Sequence, residues 1–402
     1  MIRAHWYLLL LSLWTSAACA QTPDRRATPD ASRAIDLSHD LFADLGADPT
    51  AVRADSLTRA GRPWRATLLL ASALRAPSSA APAVRVAGAR AATAWSGWSE
   101  VERILRDAPW LDEQLDGEGR ELLARALLER GQPAVNDARR ALAAARSEAQ
   151  RVARRVLLAR AFDRANAVDS AAAWYGSAVT PLPQAADWLR LRMAGVLPDS
   201  AARAAQFARV SGDVARARIP WTDAQARERA GDFTGAARLY RSVSAIPAAF
   251  RAEALAARDE AGKVALARRI AAYLGGNVRP QPSDVRQSLE VLDKLAVSLP
   301  RAEEQVVARA AATSGVNARA IAGFARVLTT GAIDSRDQLA YAGALARTNR
   351  AADAIRIYDE IIATDSTSGA TAAYQRARTM LQSGNGAAAR AALRAAATRY
   401  SA

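Results

Sequence analysis

Small, alanine and bulky residues recur along this chain at fixed intervals. In each copy a small residue is followed by alanine five positions later and by a bulky apolar residue four positions after that. The clearest copies are Gly231, Ala236 and Tyr240; Gly315, Ala320 and Phe324; Asn349, Ala354 and Tyr358; and Gly384, Ala389 and Leu393. The small residue allows a tight turn between two helices, alanine lets them approach closely, and the bulky side chain fills the groove. The pattern therefore predicts packed pairs of helices.

The interval between copies indicates the type of helical pair. The last three copies begin 34 and then 35 residues apart, which is the period of tetratricopeptide-type hairpins. Looser copies are Gly61, Ala66 and Leu70; and Asn166, Ala171 and Tyr175. No segment alternates apolar and polar residues strongly enough to predict a strand. We therefore expect an all-α fold, an α-solenoid or superhelix of tetratricopeptide-like helical hairpins that acts through a long curved surface.

Turn residues divide the chain into predicted segments. Residues 134–167 are predicted to be helical, and Asp199 is expected to cap the start of another helix. The richest turn cluster runs from Gly275 to Pro282, and it predicts the main boundary. The predicted divisions are a signal peptide at 1–20, a helical superhelix with irregular hairpins at 21–274, a linker or turn region at 275–288, and tetratricopeptide-like repeats at 289–402.

The first residues have the features of a secretory signal peptide. A short basic start precedes the largely apolar stretch from Trp6 to Ala18, and Ala18-Cys19-Ala20 forms a cleavage site before Gln21. The apolar stretch is too short to span a bilayer, and no later segment qualifies as a transmembrane helix. The mature protein is therefore expected in the periplasm.

Cys19 is the only cysteine, so the mature chain should contain no disulfide. Cys19 could instead carry a lipid anchor. Bacterial lipidation sites usually have leucine where Ser16 stands, so simple cleavage is the favoured interpretation and lipidation remains the alternative.

The formal net charge of +15 comes almost wholly from arginine, because Lys263 and Lys294 are the only lysines. Such a charge could attract nucleic acid, anionic lipid or an acidic polymer. Export argues against nucleic acid. The arginines are spread through predicted helices beside Asp or Glu, so solvated helix faces are the simplest interpretation, and an anionic partner such as cell-wall carboxylates is the alternative.

Scattered stretches resemble the helical superhelix of soluble lytic murein transglycosylases. They run from Gly97 to Leu105, from Ala108 to Asp112, from Asp187 to Arg192 and from Ala217 to Trp221. In that family a horseshoe or ring of helical hairpins precedes a lysozyme-like domain, which cuts between N-acetylmuramic acid and N-acetylglucosamine and leaves a 1,6-anhydro end. The resemblance covers most of the mature chain and implies a helical region that holds glycan.

The catalytic motifs of that family have no counterpart here. Its catalytic domain opens with a Glu-Ser pair whose glutamate is the general acid/base, and a Gly-Leu-Met-Gln-like turn follows. This chain contains no Glu-Ser dipeptide, and its nearest approach to the second motif is Thr379-Met380-Leu381-Gln382. Met380 and Leu381 are expected to pack in the core of a repeat helix. No catalytic residue is assigned, and whether the chain is an enzyme stays open, with a non-catalytic role favoured.

Other catalytic or metal-binding arrangements are also missing from the sequence. Adjacent acidic residues on one helix do not share a face, so they are predicted to be solvated surface; these pairs are Glu100 with Glu102, Glu303 with Glu304, and Asp359 with Glu360. His39 is the only histidine after residue 20, so neither a metal site nor a cofactor is predicted.

Tryptophan and arginine supply the remaining candidates for a ligand surface. All seven tryptophans after the signal peptide precede the predicted boundary at Gly275. Most should fill gaps between helices, but Trp98 and Trp110 flank turns, so they are the candidates for contact with a ligand. Arg190 and Arg192 lie two residues apart on one predicted helix, so at most one of them should face the concave side.

Three functions are compatible with these features. The first is an exported, non-catalytic scaffold that binds peptidoglycan or positions a cell-wall enzyme that cuts it. The second is a periplasmic tetratricopeptide-type adaptor that binds a protein segment in its concave groove. The third is a truncated lytic transglycosylase whose catalytic domain is missing from this chain.

Overall fold

A computed structural model describes residues 48–276 and 280–400 of the chain. These residues form α-helices joined by turns and short 3₁₀ segments, with no strand among them, so the prediction of an all-α fold is confirmed. The predicted signal peptide, Cys19 and His39 lie outside the described residues. No helix within the described ranges combines the length and apolar character needed to cross a bilayer.

The described residues belong to two compact units, which divide between Ala230 and Gly231. The helices of unit 1 are α1 Pro49–Arg59, α2 Pro63–Leu70, α3 Pro82–Ala94, α4 Trp98–Leu105, α5 Glu118–Glu129, α6 Val135–Ala143, α7 Glu148–Arg164, α8 Val168–Val179, α9 Ala186–Val196, α10 Ser200–Phe207, α11 Asp213–Arg216 and α12 Ile219–Arg229. The helices of unit 2 are α13 Phe233–Ser242, α14 Ile246–Ala256, α15 Glu260–Leu274, α16 Pro282–Leu295, α17 Arg301–Thr313, α18 Asn317–Leu328, α19 Ser335–Arg347, α20 Ala351–Thr364, α21 Ser366–Gln382 and α22 Gly386–Arg399.

The turn cluster that predicts the main boundary connects α15 to α16, and both helices belong to unit 2. Residues 277–279, in the middle of this connection, lie outside the described residues. The predicted division of the chain at 275–288, into a superhelix and a repeat segment, therefore remains a prediction. The compact units themselves divide at a different place, between Ala230 and Gly231.

The recurring small, alanine and bulky residues occupy equivalent places in both units. The small residues have the positive φ of the left-handed region, for example +76° at Gly315 and +57° at Asn166, and this is where a tight turn favours glycine or asparagine. The alanines and the bulky residues are buried; the fully buried bulky side chains include Leu70, Tyr175, Tyr240, Phe324 and Tyr358. Leu393 is the exception, with 43% of its surface exposed, because no described helix follows α22 to cover it.

A further copy of this arrangement contains valine in place of the alanine. Ser96 has a φ of +62°, and Val101 and Leu105 follow it at the same intervals and are fully buried. The sequence pattern missed this copy because it required alanine at the middle position.

Helices pack in a regular order within each unit. In unit 1, α3 contacts α1 and α5, and α5 contacts α7, while each helix from α1 to α10 also packs on its neighbour in the chain. In unit 2, α17 contacts α15 and α19, and α19 contacts α21 in the same way. Alternate helices therefore form a row of four in each unit, α1, α3, α5 and α7 in unit 1 and α15, α17, α19 and α21 in unit 2.

The expectation that Met380 and Leu381 both pack in the core is wrong for Leu381, which is 62% exposed near the end of α21. Thr379 is buried there instead. Positions two residues apart lie about 200° apart around an α-helix, so Thr379 and Leu381 face opposite sides.

The stretch 134–167 is not one helix but two, α6 and α7. Ser147 interrupts it with a capping box: its hydroxyl accepts a hydrogen bond from the Gln150 amide at 3.1 Å, and the Gln150 side chain accepts one from the Ser147 amide at 3.1 Å. Serine satisfies the free amides of a first turn better than it continues a helix, so a new helix begins here. Asp199 caps α10 as expected, since its carboxylate accepts a hydrogen bond from the Ala202 amide.

Replacing Ser147 with alanine should destabilise unit 1 by about 0.5–2 kcal/mol, because the first turn of α7 loses its cap. Urea unfolding followed by tryptophan fluorescence tests this, since every described tryptophan lies in unit 1. Ser177→Ala is the matched control. Its exposed hydroxyl only bonds the Trp174 carbonyl of its own helix, so an equal loss from both changes would contradict the capping role.

Candidate functional site

An exposed pair of tryptophans lies on unit 1. Trp64 in α2 is 58% exposed and Trp95, at the end of α3, is 38% exposed. Their rings meet edge to face, with centroids 5.7 Å apart and planes at 78°. Leu68 is 59% exposed and lies one turn after Trp64, on the same side of α2. Together Trp64, Leu68 and Trp95 form a continuous apolar surface, which we call the tryptophan patch.

Trp95 is held in a defined orientation. Its indole N–H donates a hydrogen bond to the Thr67 hydroxyl at 3.1 Å. Its ring lies directly over Gly97, where an added Cβ would come within 2.1 Å of a ring carbon. Because the hydrogen bond to Thr67 and the packing over Gly97 both fix the Trp95 ring, the patch is an ordered surface on which a flat apolar group could stack.

Two exposed arginines lie close to Trp64 in the sequence, Arg62 just before α2 and Arg65 directly after Trp64. A carboxylate on a ligand bound to this part of unit 1 could pair with either guanidinium group. Arginine suits this contact because its planar group donates two parallel hydrogen bonds to a carboxylate.

Trp98 and Trp110, the tryptophans expected to contact a ligand, are more buried than the patch. Trp98 is half-buried against the core of unit 1, and the Arg125 guanidinium lies 5.5 Å from its ring centroid. Trp110 retains only 9% exposure, and Arg85 lies 5.4 Å from its ring centroid. A role for these two residues in ligand binding stays a prediction.

Arg190 and Arg192 lie together on α9 and are both partly exposed. Arg190 donates hydrogen bonds to the Asp187 carboxylate at 3.0 Å and to the Arg209 carbonyl at 3.1 Å. Burial lowers the pKa of Arg192, and the nearby Tyr175 hydroxyl opposes that effect. Burial in turn raises the pKa of Tyr175 to about 12, with the charge of Asp163 adding to the rise.

Arginines form ion pairs with most of the paired carboxylates. The expectation that they are solvated surface is wrong for Glu102 and Glu304, which are 7% and 6% exposed. Each of these is buried between two guanidinium groups, Glu102 between Arg106 and Arg130 and Glu304 between Arg319 and Arg326. The partner arginines lie in other turns or helices, so adjacency in sequence does not reveal the burial.

Acid catalysis needs a carboxyl group whose pKa is raised. In the described part of the chain, every carboxyl group with a clearly shifted pKa has a lowered one, because arginines, serine hydroxyls or backbone amides stabilise the charged form. Those residues are Glu100, Asp112, Glu148, Asp187, Glu304 and Asp365. The described residues also gather no group of three or more His, Cys, Asp or Glu side chains suited to a metal ion.

Each unit also contains an open cavity with an arginine rim. The cavity of unit 1, about 420 Å³, has Leu111, Leu123 and Leu127 in its wall and Arg106 and Arg140 beside them. The cavity of unit 2, about 340 Å³, is lined by residues that include Val327, Arg319 and Glu304. Most of the arginines in these cavities pair with carboxylates of the same unit, for example Arg140 with Asp112 and Arg319 with Glu304, whereas Arg301 donates a hydrogen bond to the Ala332 carbonyl.

Known proteins give no guide to the ligand of these surfaces. No protein-family model matches this chain, and a search of curated proteins finds no significant match.

Proposed function

We propose that this chain is a non-catalytic helical-repeat scaffold that is exported to the periplasm and binds peptidoglycan. In this proposal each compact unit is a stack of tetratricopeptide-like hairpins. The positive φ of the small residues, the buried alanines and the continuous row of alternate helices support that interpretation. The signal-like first residues, which lie outside the described ranges, support export.

The tryptophan patch is the observation that carries the proposal. A contiguous exposed apolar patch is a common feature of ligand sites, and an ordered pair of indole rings is well suited to stack on a pyranose ring. Arg62 and Arg65, which are exposed and close to Trp64 in the sequence, match the carboxylates of the wall's peptide stems. The resemblance to the superhelix of lytic murein transglycosylases agrees with this ligand.

Purified peptidoglycan sacculi, stripped of wall protein, should retain the mature chain, and salt should weaken the binding because part of it is ionic. Trp64→Ala should weaken binding about fivefold or more, since an aromatic stacking contact is worth about 1 kcal/mol. The measurement is the bound fraction at increasing sacculus concentration.

Tyr374→Ala serves as the matched control, because Tyr374 is 56% exposed and lies in unit 2. It should leave the affinity for sacculi unchanged. Absence of sacculus binding by the native chain, or an equal loss from Trp64→Ala and Tyr374→Ala, would contradict the proposal. Retention of a protein segment in place of sacculi would instead support the adaptor function.

A further inference from the structure

The cavity of unit 2 has an apolar wall. It is lined by residues of α16, α17 and α18 and by the loop that connects α16 to α17. Leu292 and Val327 line it from the helices and are almost completely buried in the core of the unit. Val297 and Leu299 line it from the loop and are partly exposed. Such a wall favours a ligand that has an apolar part.

The charged residues that line this cavity carry an excess of positive charge. They are three arginines and two acidic residues, namely Arg301, Arg319, Arg326, Asp293 and Glu304. Arg319 pairs with Asp293 at 2.9 Å and with Glu304 at 2.7 Å, and Arg326 pairs with Glu304 at 2.5 Å. Both carboxylates are therefore engaged by two of the arginines, and the lining has a formal excess of one positive charge.

Arg301 is the source of this excess charge. Its guanidinium group donates a hydrogen bond to the Ala332 carbonyl, which is a neutral acceptor, and lies beside Gly331. It forms no ion pair with any carboxylate in the ranges 48–276 and 280–400. Glu303 belongs to the same first turn of α17 but does not line the cavity. Because a guanidinium group has five N–H donors, Arg301 can also bind a carboxylate.

The cavity of unit 1 provides a comparison within the same chain. It is also lined by leucines and by three arginines, and each of those arginines forms an ion pair with a carboxylate of unit 1. The pairs are Arg106 with Glu102, Arg120 with Asp112 and Asp137, and Arg140 with Asp112. Arg301 in unit 2 therefore differs from the arginines of the comparable cavity in having a neutral partner.

We propose that the cavity of unit 2 binds a small amphipathic monocarboxylate. The carboxylate pairs with Arg301 through two parallel hydrogen bonds and supplies the negative charge that the lining lacks. The apolar part of the ligand packs on the four apolar side chains of the wall. The volume of about 340 Å³ lies within the range of small-molecule sites. The tryptophan patch belongs to unit 1, so this inference does not depend on peptidoglycan binding.

Octanoate is a suitable probe, because it combines one carboxylate with a short apolar chain. Isothermal titration calorimetry with the full mature chain should detect octanoate binding. Octanamide has the same chain but no charge, so it should bind at least about tenfold more weakly. Acetate keeps the charge but lacks the apolar chain, and it should also bind at least about tenfold more weakly. Equal affinities for octanoate and octanamide, or no binding of octanoate, would overturn the proposal.

Variants of unit 2 locate the site. Arg301→Gln should weaken octanoate binding at least about tenfold, because the charge-assisted contact is lost. Arg301→Lys keeps the charge but not the paired donors, so it should give a smaller loss and keeps the test available if the glutamine variant does not fold. Arg356→Gln is the matched control. Its side chain is 68% exposed on α20 and pairs with Glu360 outside the cavity, so octanoate affinity should not change.

The same variants separate this inference from peptidoglycan binding. Trp64→Ala should leave the affinity for octanoate unchanged, and Arg301→Gln should leave sacculus binding unchanged. A folded Arg301→Gln variant that binds octanoate normally would overturn the proposal. An equal loss of octanoate binding from Arg301→Gln and Arg356→Gln would also overturn it, because the net charge of the chain would then account for the binding.

Discussion

Replacing Arg90 with methionine should lower the free energy of unfolding of unit 1 by about 3–5 kcal/mol. Arg90 donates hydrogen bonds to both carboxylate oxygens of Glu118 at 2.5 Å and to Asp55 at 2.9 Å. All three side chains are almost completely buried, at 7% exposure or less. Burial alone would lower the pKa of Arg90, but Glu118 and Asp55 raise it, so these carboxylates hold the ion in place. Without Arg90, the Glu118 carboxylate would lie uncompensated in the core.

Urea unfolding followed by tryptophan fluorescence measures this loss in unit 1. Arg151→Met is the control, because it breaks an exposed pair with Glu148 and should cost less than about 1 kcal/mol. Changing Asp55 and Glu118 to leucine together with Arg90→Met should recover most of the stability, since the desolvation cost of the ions is then removed as well. An Arg90→Met loss no larger than that of Arg151→Met would show that the buried network is not stabilising.

The turns and helix crossings could be predicted from the sequence because their requirements are local. A positive φ favours glycine or asparagine, and a close crossing requires a small side chain, so residues such as Gly315, Ala320 and Phe324 indicate their own positions. Ser96 with Val101 was missed because valine also fits a crossing of this kind. The capping box at Ser147 was missed because a serine inside an apolar periodic stretch is ambiguous until Gln150 is considered with it.

The buried ions could not be predicted from charge pattern alone. Arg154 is completely buried, yet its partners Glu121 and the Asp116 carbonyl lie 33 and 38 residues away in the chain. Adjacent acidic residues indicate nothing about such distant partners. Asp55, Arg90 and Arg125 are each 35 residues apart, so they occupy equivalent positions of successive repeats. A comparison of equivalent repeat positions would therefore have identified these charged residues as candidates for a shared environment.

The exposed tryptophan could also have been identified from the repeat register. Ala66 and Leu70 face the core of unit 1, and Trp64 and Leu68 each lie two residues before one of them. Two residues turn an α-helix by about 200°, so Trp64 and Leu68 must face away from that core. Proximity to a turn, which singles out Trp98 and Trp110, is a weaker criterion than register within the helix.

Replacing Phe324 with alanine should destabilise unit 2 by about 3–5 kcal/mol, because its fully buried ring fills the space between α17, α18 and α19. The ring also contacts Tyr341, with centroids 5.6 Å apart. Leu393→Ala is the matched control. It changes the same position of another repeat, but Leu393 is 43% exposed, so the loss should be less than about 1 kcal/mol. Far-UV circular dichroism during urea unfolding, with hydrogen exchange of α17 and α18, measures both variants. Equal losses would mean that the bulky position contributes through helix propensity and not through packing between hairpins, and the tetratricopeptide-like interpretation of unit 2 would then fail.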